Sequence, residues 1–109
     1  MPVDPETLNE KERQIYEELK EVTDPEIGAS IVDMGLVDEI SVKDGEARVI
    51  YHLTMPMCPP PMALMIGSSI KKKIFKIGGF SKIEVKVSDH LYKDQINKVL
   101  DEMKLSDLP

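Results

Sequence analysis

The only cysteine of the chain, Cys58, is the side chain best suited to chemistry. It lies within residues 54–61, TMPMCPPP, between a predicted strand and a predicted helix. A thiol just before a helix N-terminus meets the positive end of the helix dipole, which can lower a cysteine pKa from about 8.5 to roughly 3.5–7.5. Because a thiolate is both a nucleophile and a metal ligand, this position suits redox chemistry, acyl transfer or metal capture. The simpler alternative is that Cys58 packs as a small, inert apolar residue.

Two carboxylates, Asp24 and Glu26, flank Pro25 in an acidic loop. Asp-Pro is a common start of a turn, and a turn accounts for both side chains without any function. The other interpretation places the two carboxylates near a functional site, and sequence spacing does not decide between them. Taken alone, these residues favour the turn. The two histidines, His52 and His90, belong to no metal-ligand spacing motif, so we interpret both as surface or packing residues.

Length and composition predict the broad class of the protein. A chain of 109 residues predicts one domain, 1–109, and its 41% hydrophobic and 31% charged residues are those of a globular protein with a core. The net charge of −6 argues against a nucleic-acid-binding protein. One cysteine excludes an internal disulfide, and without a signal peptide or a long apolar run we expect a reducing cytoplasm and no membrane.

Apolar periodicity and turn residues predict six elements. Helices are predicted at 7–22, 62–77 and 92–103, and strands at 36–42, 46–55 and 81–88. Residues 7–10, TLNE, have the form of a capping box, and Ser88 or Asp89 is expected to cap the last helix. The pair Asp44-Gly45 predicts a tight hairpin turn between the first two strands.

The order helix, strand, strand, helix, strand, helix predicts an α+β fold. We expect a two-layer sandwich whose small three-stranded sheet carries the helices on one face. In the middle helix, Ile66, Ile70 and Ile74 recur at every fourth residue and should face the core. The lysines of this helix are expected mainly on its solvated side; they are Lys71, Lys72, Lys73 and Lys76.

Three separated segments of the sequence resemble one known family. They are DPE at 24–26, IVDMGLV at 31–37 and TMPMCP at 54–59. Together they resemble the iron–sulfur assembly factors that include the SufT and PaaD-like proteins. Each segment alone is a weak signal, but their common order over about residues 18–87 is specific. The resemblance implies the fold of the iron–sulfur cluster assembly domain, in agreement with the predicted order of elements.

The resemblance also implies roles for individual residues. Cys58 matches the motif cysteine of the family and Thr54 its motif threonine, while Asp24 and Glu26 match acidic residues thought to lie near that cysteine. On this basis the two carboxylates orient or modulate a thiolate or a bound metal, which reverses the preference for a mere turn. Two departures stand out. Met55 replaces a second threonine found in many members, and residues 89–92, DHLY, lack the Pro-Trp signature that follows the last strand.

A single cysteine limits what the chain can hold. Iron–sulfur clusters usually take four ligands, so we expect no tightly bound cluster in one monomer. A labile cluster shared by two copies of Cys58 in a homodimer, or completed by small thiols or partner residues, is compatible with the sequence. The first hypothesis is therefore a non-catalytic assembly or maturation factor, an adaptor or transient carrier, whose partners are the assembly machinery and client apoproteins.

Two other hypotheses stay open. The second is a thiol-dependent redox or persulfide-handling enzyme with Cys58 as the nucleophile. Because the chain has no second cysteine, such an enzyme needs an external thiol to restore it. The third is a structural adaptor in which Cys58 only packs. The rate at which the thiol is alkylated separates the second hypothesis from the third, and retention of metal separates the first from both.

Overall fold

The computed structural model describes residues 3–25, 27–54 and 59–103. Within these residues the elements are α1 (Glu10–Leu19), β1 (Val37–Lys43), β2 (Glu46–Tyr51), α2 (Pro60–Ile77), β3 (Lys82–Val87) and α3 (Lys93–Glu102). A short 3₁₀ turn at Pro5–Thr7 precedes α1. The predicted α+β order is confirmed, and each predicted element exists within a few residues of its expected bounds.

The three strands form one mixed sheet with β2 in the centre. Strand β1 pairs with β2 in the antiparallel sense, through a turn in which Asp44 and Gly45 have φ angles of 53° and 78°. Positive φ at both central residues is what a two-residue turn of the type I′ kind requires, so the predicted hairpin is confirmed. Strand β3 pairs with β2 in the parallel sense. Parallel neighbours need a long crossover, and α2 supplies it.

All three helices cover one face of this sheet. On β2 the residues Ala47, Val49 and Tyr51 are buried and alternate with more exposed residues. Arg48, between them, lies on the opposite face, where it forms ion pairs with the carboxylates of Glu39 and Glu84 at 3.7 Å and 3.2 Å. The helices complete the core with fully buried side chains, namely Ile15, Leu19, Ile66, Ile70, Ile74, Ile96 and Leu100.

Helix α1 begins and ends inside its predicted range of 7–22. Its N-cap is Asn9, whose side chain accepts a hydrogen bond from the Glu12 N–H at 2.9 Å, while the Glu12 carboxylate accepts one from the Asn9 N–H at 3.0 Å. The capping box therefore runs from Asn9 to Glu12, two residues beyond the box predicted at 7–10, and that prediction is wrong. Both amides of this box gain a partner, whereas Thr7 closes the preceding 3₁₀ turn. The helix ends at Leu19.

Strand β2 stops at Tyr51, four residues before the predicted end at Met55, and Met55 itself lies outside the described residues. The alternation of apolar residues continues past the strand, since Leu53 is buried. Burial therefore extends further along the chain than strand pairing does. The alternation indicates which side chains face the core and not which amides form hydrogen bonds within the sheet. Helix α2 starts at Pro60, two residues earlier than predicted, because proline is well suited to a first helical turn.

The predicted cap of α3 is wrong. The helix begins at Lys93, and the N-cap position belongs to Tyr92, whose side chain makes no capping hydrogen bond. Ser88 instead extends the pairing of β3 with β2, since its N–H donates to the Tyr51 carbonyl at 2.7 Å. Asp89 has a φ of 49° and lies in the bend that follows β3. Helix α3 ends at Glu102, one residue before its predicted end.

One lysine of α2 departs from the prediction. Lys71 is buried, and its ammonium donates hydrogen bonds to the carbonyls of Leu100 and Met103, the latter at 3.3 Å. Burial lowers the pKa of the Lys71 ammonium. The carbonyls at the C-terminus of a helix attract a cation, so the end of α3 packs onto Lys71. Lys72 and Lys76 are exposed as predicted, and Lys73 is half-buried.

Candidate functional site

The segment that carries Cys58 connects β2 to α2. Cys58 and Glu26 lie outside the described residues, so the grouping of these two residues with Asp24 and Thr54 in one site stays a prediction. The structure describes both ends of the segment. Thr54 is exposed in a bend that follows β2, and Pro59 occupies the N-cap position of α2.

A buried contact holds the two ends of this segment close together. The hydroxyl of Tyr51, the last residue of β2, donates to the carbonyl of Ala63 in the first turn of α2 at 2.6 Å. Both residues are fully buried, and burial raises the pKa of the Tyr51 phenol. Gly67 makes room for the contact, because a Cβ there would lie 2.7 Å from both the Tyr51 oxygen and a methyl carbon of Leu100. The end of β2 and the start of α2, between which the connecting segment lies, are therefore held in a fixed position relative to each other.

The prolines change the electrostatics of the N-terminus of α2. A helix usually leaves about four N–H groups without partners in its first turn. Here Pro59, Pro60 and Pro61 have no N–H, and the N–H of Met62 already donates to the Pro59 carbonyl at 3.0 Å. The first turn of α2 therefore offers no free N–H to an anion, and the helix dipole alone is left to favour a thiolate at this end.

Asp24 organises the loop that was interpreted as a turn. Its N–H donates to the Ala29 carbonyl at 2.9 Å, and its own carbonyl accepts from the Gly28 N–H at 2.7 Å. The carboxylate accepts a hydrogen bond from the Ile27 N–H at 3.3 Å. Gly28 has a φ of 80°, which glycine adopts without strain. The turn interpretation thus describes the backbone correctly, and yet Asp24 is also a buried carboxylate, which is uncommon for this residue type.

A second polar cluster was missed by the sequence interpretation. The imidazole Nδ1 of His52 lies 2.8 Å from Oδ2 of Asp38, and the Ser88 hydroxyl donates to the same oxygen at 3.2 Å. The three residues come from the ends of β1, β2 and β3, at the edge where β2 leaves the sheet. A β-bulge between Val37 and Glu39 turns Asp38 towards this cluster.

The cluster fixes the orientation of one imidazole. An ionised carboxylate only accepts hydrogen bonds, so Nδ1 of His52 carries the proton that bonds to Asp38. The described residues give Nε2 no hydrogen-bond partner, which leaves that nitrogen as an acceptor on a side chain that is 30% exposed. Metal-bound histidines are commonly oriented in the same way, by a carboxylate that accepts a hydrogen bond from the other ring nitrogen. The cluster equally ties the three strand ends together, and this structural role needs no ligand.

The described residues contain no ready-made metal centre. Nowhere in residues 3–25, 27–54 and 59–103 do three or more His, Cys, Asp or Glu side chains group closely enough to hold an ion. Over the same residues, none of the helices is both long and apolar enough to cross a membrane.

The fold and the predicted site together define a class of protein. In the described residues, three helices lie on one face of a small mixed sheet. The segment with the only cysteine of the chain connects the central strand, β2, to α2, the longest of these helices. A family model described as "Iron-sulfur cluster assembly protein" matches residues 12–87, which is more than half of the chain. The chain therefore belongs to the iron–sulfur cluster assembly protein family, and the resemblance found in the sequence is confirmed.

Individual proteins are similar to this chain over most of its length. An uncharacterized protein of Methanocaldococcus jannaschii is 40% identical over 86 residues, which is 77% of this chain and 87% of that protein. A protein of Porphyromonas gingivalis named "Fe-S protein maturation auxiliary factor" is 31% identical over 88 residues, 80% of this chain and 79% of its own length. The crystal structure of a domain of unknown function from Bacillus anthracis superposes with a TM-score of 0.66 at 30% identity, covering 83% of this chain and 87% of that domain.

Proposed function

We propose that this chain is a non-catalytic factor in the assembly or maturation of iron–sulfur proteins, acting as an adaptor or transient carrier through Cys58. The observation that carries the proposal is the family match over residues 12–87, which includes the only cysteine of the chain. The relative named as a maturation auxiliary factor supports the same role. Its partners would be the assembly machinery and client apoproteins.

The number of ligands favours transient over permanent binding. A cluster usually takes four ligands, and this chain has one cysteine and no group of three ligands among its described residues. The cluster is then cargo, held by Cys58 together with ligands from a second copy of the chain, a client protein or small thiols. Asp24, Glu26 and Thr54 would shape the surroundings of that thiol. We place this role in a reducing cytoplasm, where a single thiol stays free.

The first turn of α2 argues against the alternative of a thiol-dependent redox or persulfide enzyme. Such an enzyme needs a thiolate near neutral pH, and N–H groups at a helix end are one of the common ways to stabilise it. Prolines occupy the N-cap and the first two helical positions of α2, and the Met62 N–H already donates to the Pro59 carbonyl. If Asp24 and Glu26 lie beside Cys58, their negative charges also disfavour the thiolate. Both effects argue against a thiolate nucleophile at neutral pH, whereas a metal can displace the proton of a neutral thiol as it binds.

The proposal is tested by anaerobic reconstitution with iron and sulfide. Wild type, Cys58→Ser and the matched control Leu91→Ser, which changes an exposed apolar residue far along the chain, are desalted before iron per chain and visible absorbance are measured. Wild type and Leu91→Ser should retain iron and colour, and Cys58→Ser should lose both. Mixing the loaded protein with an apo-ferredoxin should then move the absorbance to the ferredoxin fraction.

Each alternative outcome has a distinct meaning. Equal iron in wild type and Cys58→Ser would remove Cys58 as a ligand and contradict the carrier. No iron in any variant, with rapid alkylation of Cys58 at neutral pH, would replace the carrier by the thiol enzyme. No iron with a thiol that resists alkylation in the folded state would leave a packing role for Cys58.

A further inference from the structure

A groove runs along α2 on the side that faces the end of α1. It has a volume of about 830 Å³, and its rim begins at Pro25, the residue next to Asp24. Two apolar side chains of α2, Met65 and Phe75, line it although each is 54% exposed. Ten residues of helix separate them, or about 15 Å at 1.5 Å per residue. The groove therefore offers two apolar contact points spaced over nearly three helical turns.

The charges along this groove oppose the charge of the whole chain. Among the described residues that line it are Lys72, Lys73 and Lys76 and one carboxylate, that of Glu21, whereas the chain carries a net charge of −6. The Lys73 ammonium lies 3.3 Å from the Glu21 carboxylate, and this hydrogen bond and charge lower the pKa of Glu21. Lys76 lies 3.7 Å from Glu18, on the same side. In the part of the chain that the structure describes, Lys72 has no ion-pair partner.

We propose that this groove docks a segment of a partner protein that presents a large apolar side chain next to carboxylates. Apolar anchors supply most of the binding energy at such interfaces, and methionine adapts its shape to different partners. The lysines select an acidic segment and speed its encounter with the groove. The inference deepens the proposed function: an adaptor holds its partner on the groove rim that begins beside Asp24, and one groove serves several acidic partners.

The positions of the lysines favour an acidic partner over self-association. In each of the pairs that Lys73 and Lys76 make with glutamates, one partner is largely exposed to solvent, and ion pairs at the protein surface are typically worth about 0–1 kcal/mol. An incoming carboxylate can therefore replace Glu21 or Glu18 as partner at small cost. Lys72 needs no such exchange. Two copies of a chain with a net charge of −6 repel each other at long range, whereas a short acidic segment is attracted by the local cluster.

The test measures binding of a fluorescein-labelled peptide of two Asp-Leu-Phe-Glu repeats by fluorescence anisotropy at low salt. Phe75→Ser and Lys72→Glu change the groove, and Leu91→Ser and Lys93→Glu are matched controls on exposed residues at and near the start of α3. We expect each groove variant to weaken binding at least about tenfold and each control less than about twofold. Added salt should weaken wild-type binding, because it screens exposed charges.

Three further measurements distinguish an acidic segment from other occupants of the groove, namely a basic segment, a membrane surface and a second copy of the chain. A peptide in which Lys replaces every Asp and Glu should bind at least about tenfold more weakly. Vesicles that contain phosphatidylserine should not retain the protein, and sedimentation should show the same mass for wild type and Phe75→Ser. Failure of the acidic peptide to bind, equal losses in groove and control variants, vesicle binding that depends on Lys72, or a mass change in Phe75→Ser would each overturn the inference.

The peptide assay is independent of the iron measurement. Cys58→Ser should bind the peptide as wild type does, because the inference assigns the contacts to Phe75 and the lysines of the groove. If iron uptake fails while peptide binding follows the groove variants, the carrier mechanism falls and the docking surface stands. If peptide binding fails while iron uptake needs Cys58, the docking surface falls and the carrier stands.

Discussion

The contact between Gly67 and Tyr51 gives a sharp prediction about the frame that carries the Cys58 segment. In the interior of an exposed helix, Gly→Ala normally stabilises by about 0.8–1.0 kcal/mol. At Gly67 the added methyl would lie 2.7 Å from the Tyr51 hydroxyl and 2.7 and 2.9 Å from the two methyl carbons of Leu100. The Leu100 side chain can rotate away, but the Tyr51 hydroxyl is held by its bond to the Ala63 carbonyl.

The magnitude follows from these opposing terms. Overpacking a core costs about 1–3 kcal/mol, and losing the buried Tyr51 hydrogen bond costs about 0.5–1.5 kcal/mol more. After the helix-propensity gain is subtracted, Gly67→Ala should lower the free energy of unfolding by about 1–3 kcal/mol. For a domain of this size each kcal/mol corresponds to roughly 4–8 °C in Tm. Urea and thermal unfolding followed by circular dichroism measure both quantities.

A double-mutant cycle isolates the contact. Tyr51→Phe removes the oxygen that the methyl would meet, so Gly67→Ala should cost about 1 kcal/mol less in the Phe background than in wild type. Ser68→Ala, in the next position of α2, is the control and should be neutral or slightly stabilising. Two results would refute this reasoning. One is a Gly67→Ala protein that is more stable than wild type, as helix propensity alone predicts. The other is a loss of unfolding free energy from Gly67→Ala that is the same in the wild-type and Tyr51→Phe backgrounds.

Two further predictions concern buried polar contacts elsewhere. Lys71→Met should lower the free energy of unfolding by about 1–3 kcal/mol, because the carbonyls at the end of α3 lose their donor, while Lys72→Met on the solvated side should change it by less than about 0.5 kcal/mol. Since burial lowers the pKa of Lys71, the unfolded chain binds more protons at alkaline pH, so urea midpoints should rise with pH just below the usual lysine range and should not rise in Lys71→Met. Asp38→Asn should free the Nδ1 proton of His52 and mix its tautomers, which ¹⁵N NMR of the imidazole detects, whereas Glu39→Gln on the neighbouring residue should leave the His52 spectrum unchanged.

The order of elements could be predicted because its signals are local. Asp44-Gly45 needs no tertiary information to form its turn, since both residues tolerate the positive φ that the turn requires. The apolar stripe of α2, with Ile66, Ile70 and Ile74 fully or almost fully buried, follows from helical geometry alone. Where two local signals compete, the prediction fails. Thr7 and Asn9 are both good caps, and Asn9 forms the box.

Contacts between elements distant in sequence could not be predicted. Lys71 lies beside Ile70 and Lys72 in a run that looks solvated, and only the arrival of the α3 C-terminus buries it. The Asp38–His52 pair depends on the bulge in β1. An unbroken hairpin register would place Tyr51 opposite Asp38, and the bulge pairs Tyr51 with Val37 instead. No residue type in the sequence marks that shift, so the sequence predicts only a surface or packing role for His52.

The proline run links the fold to the proposed role of the thiol. The family resemblance singles out Cys58, and the sequence predicts a lowered pKa for its thiol from the dipole of the following helix. The first turn of α2 adds no free N–H donor to this dipole, because its prolines have none and the Met62 N–H is already bonded. A neutral thiol must release its proton when it binds a metal, which weakens binding at neutral pH. The proposed carrier needs such weak binding to pass its cargo on, and the Tyr51 contact fixes the described ends of the segment at β2 and α2.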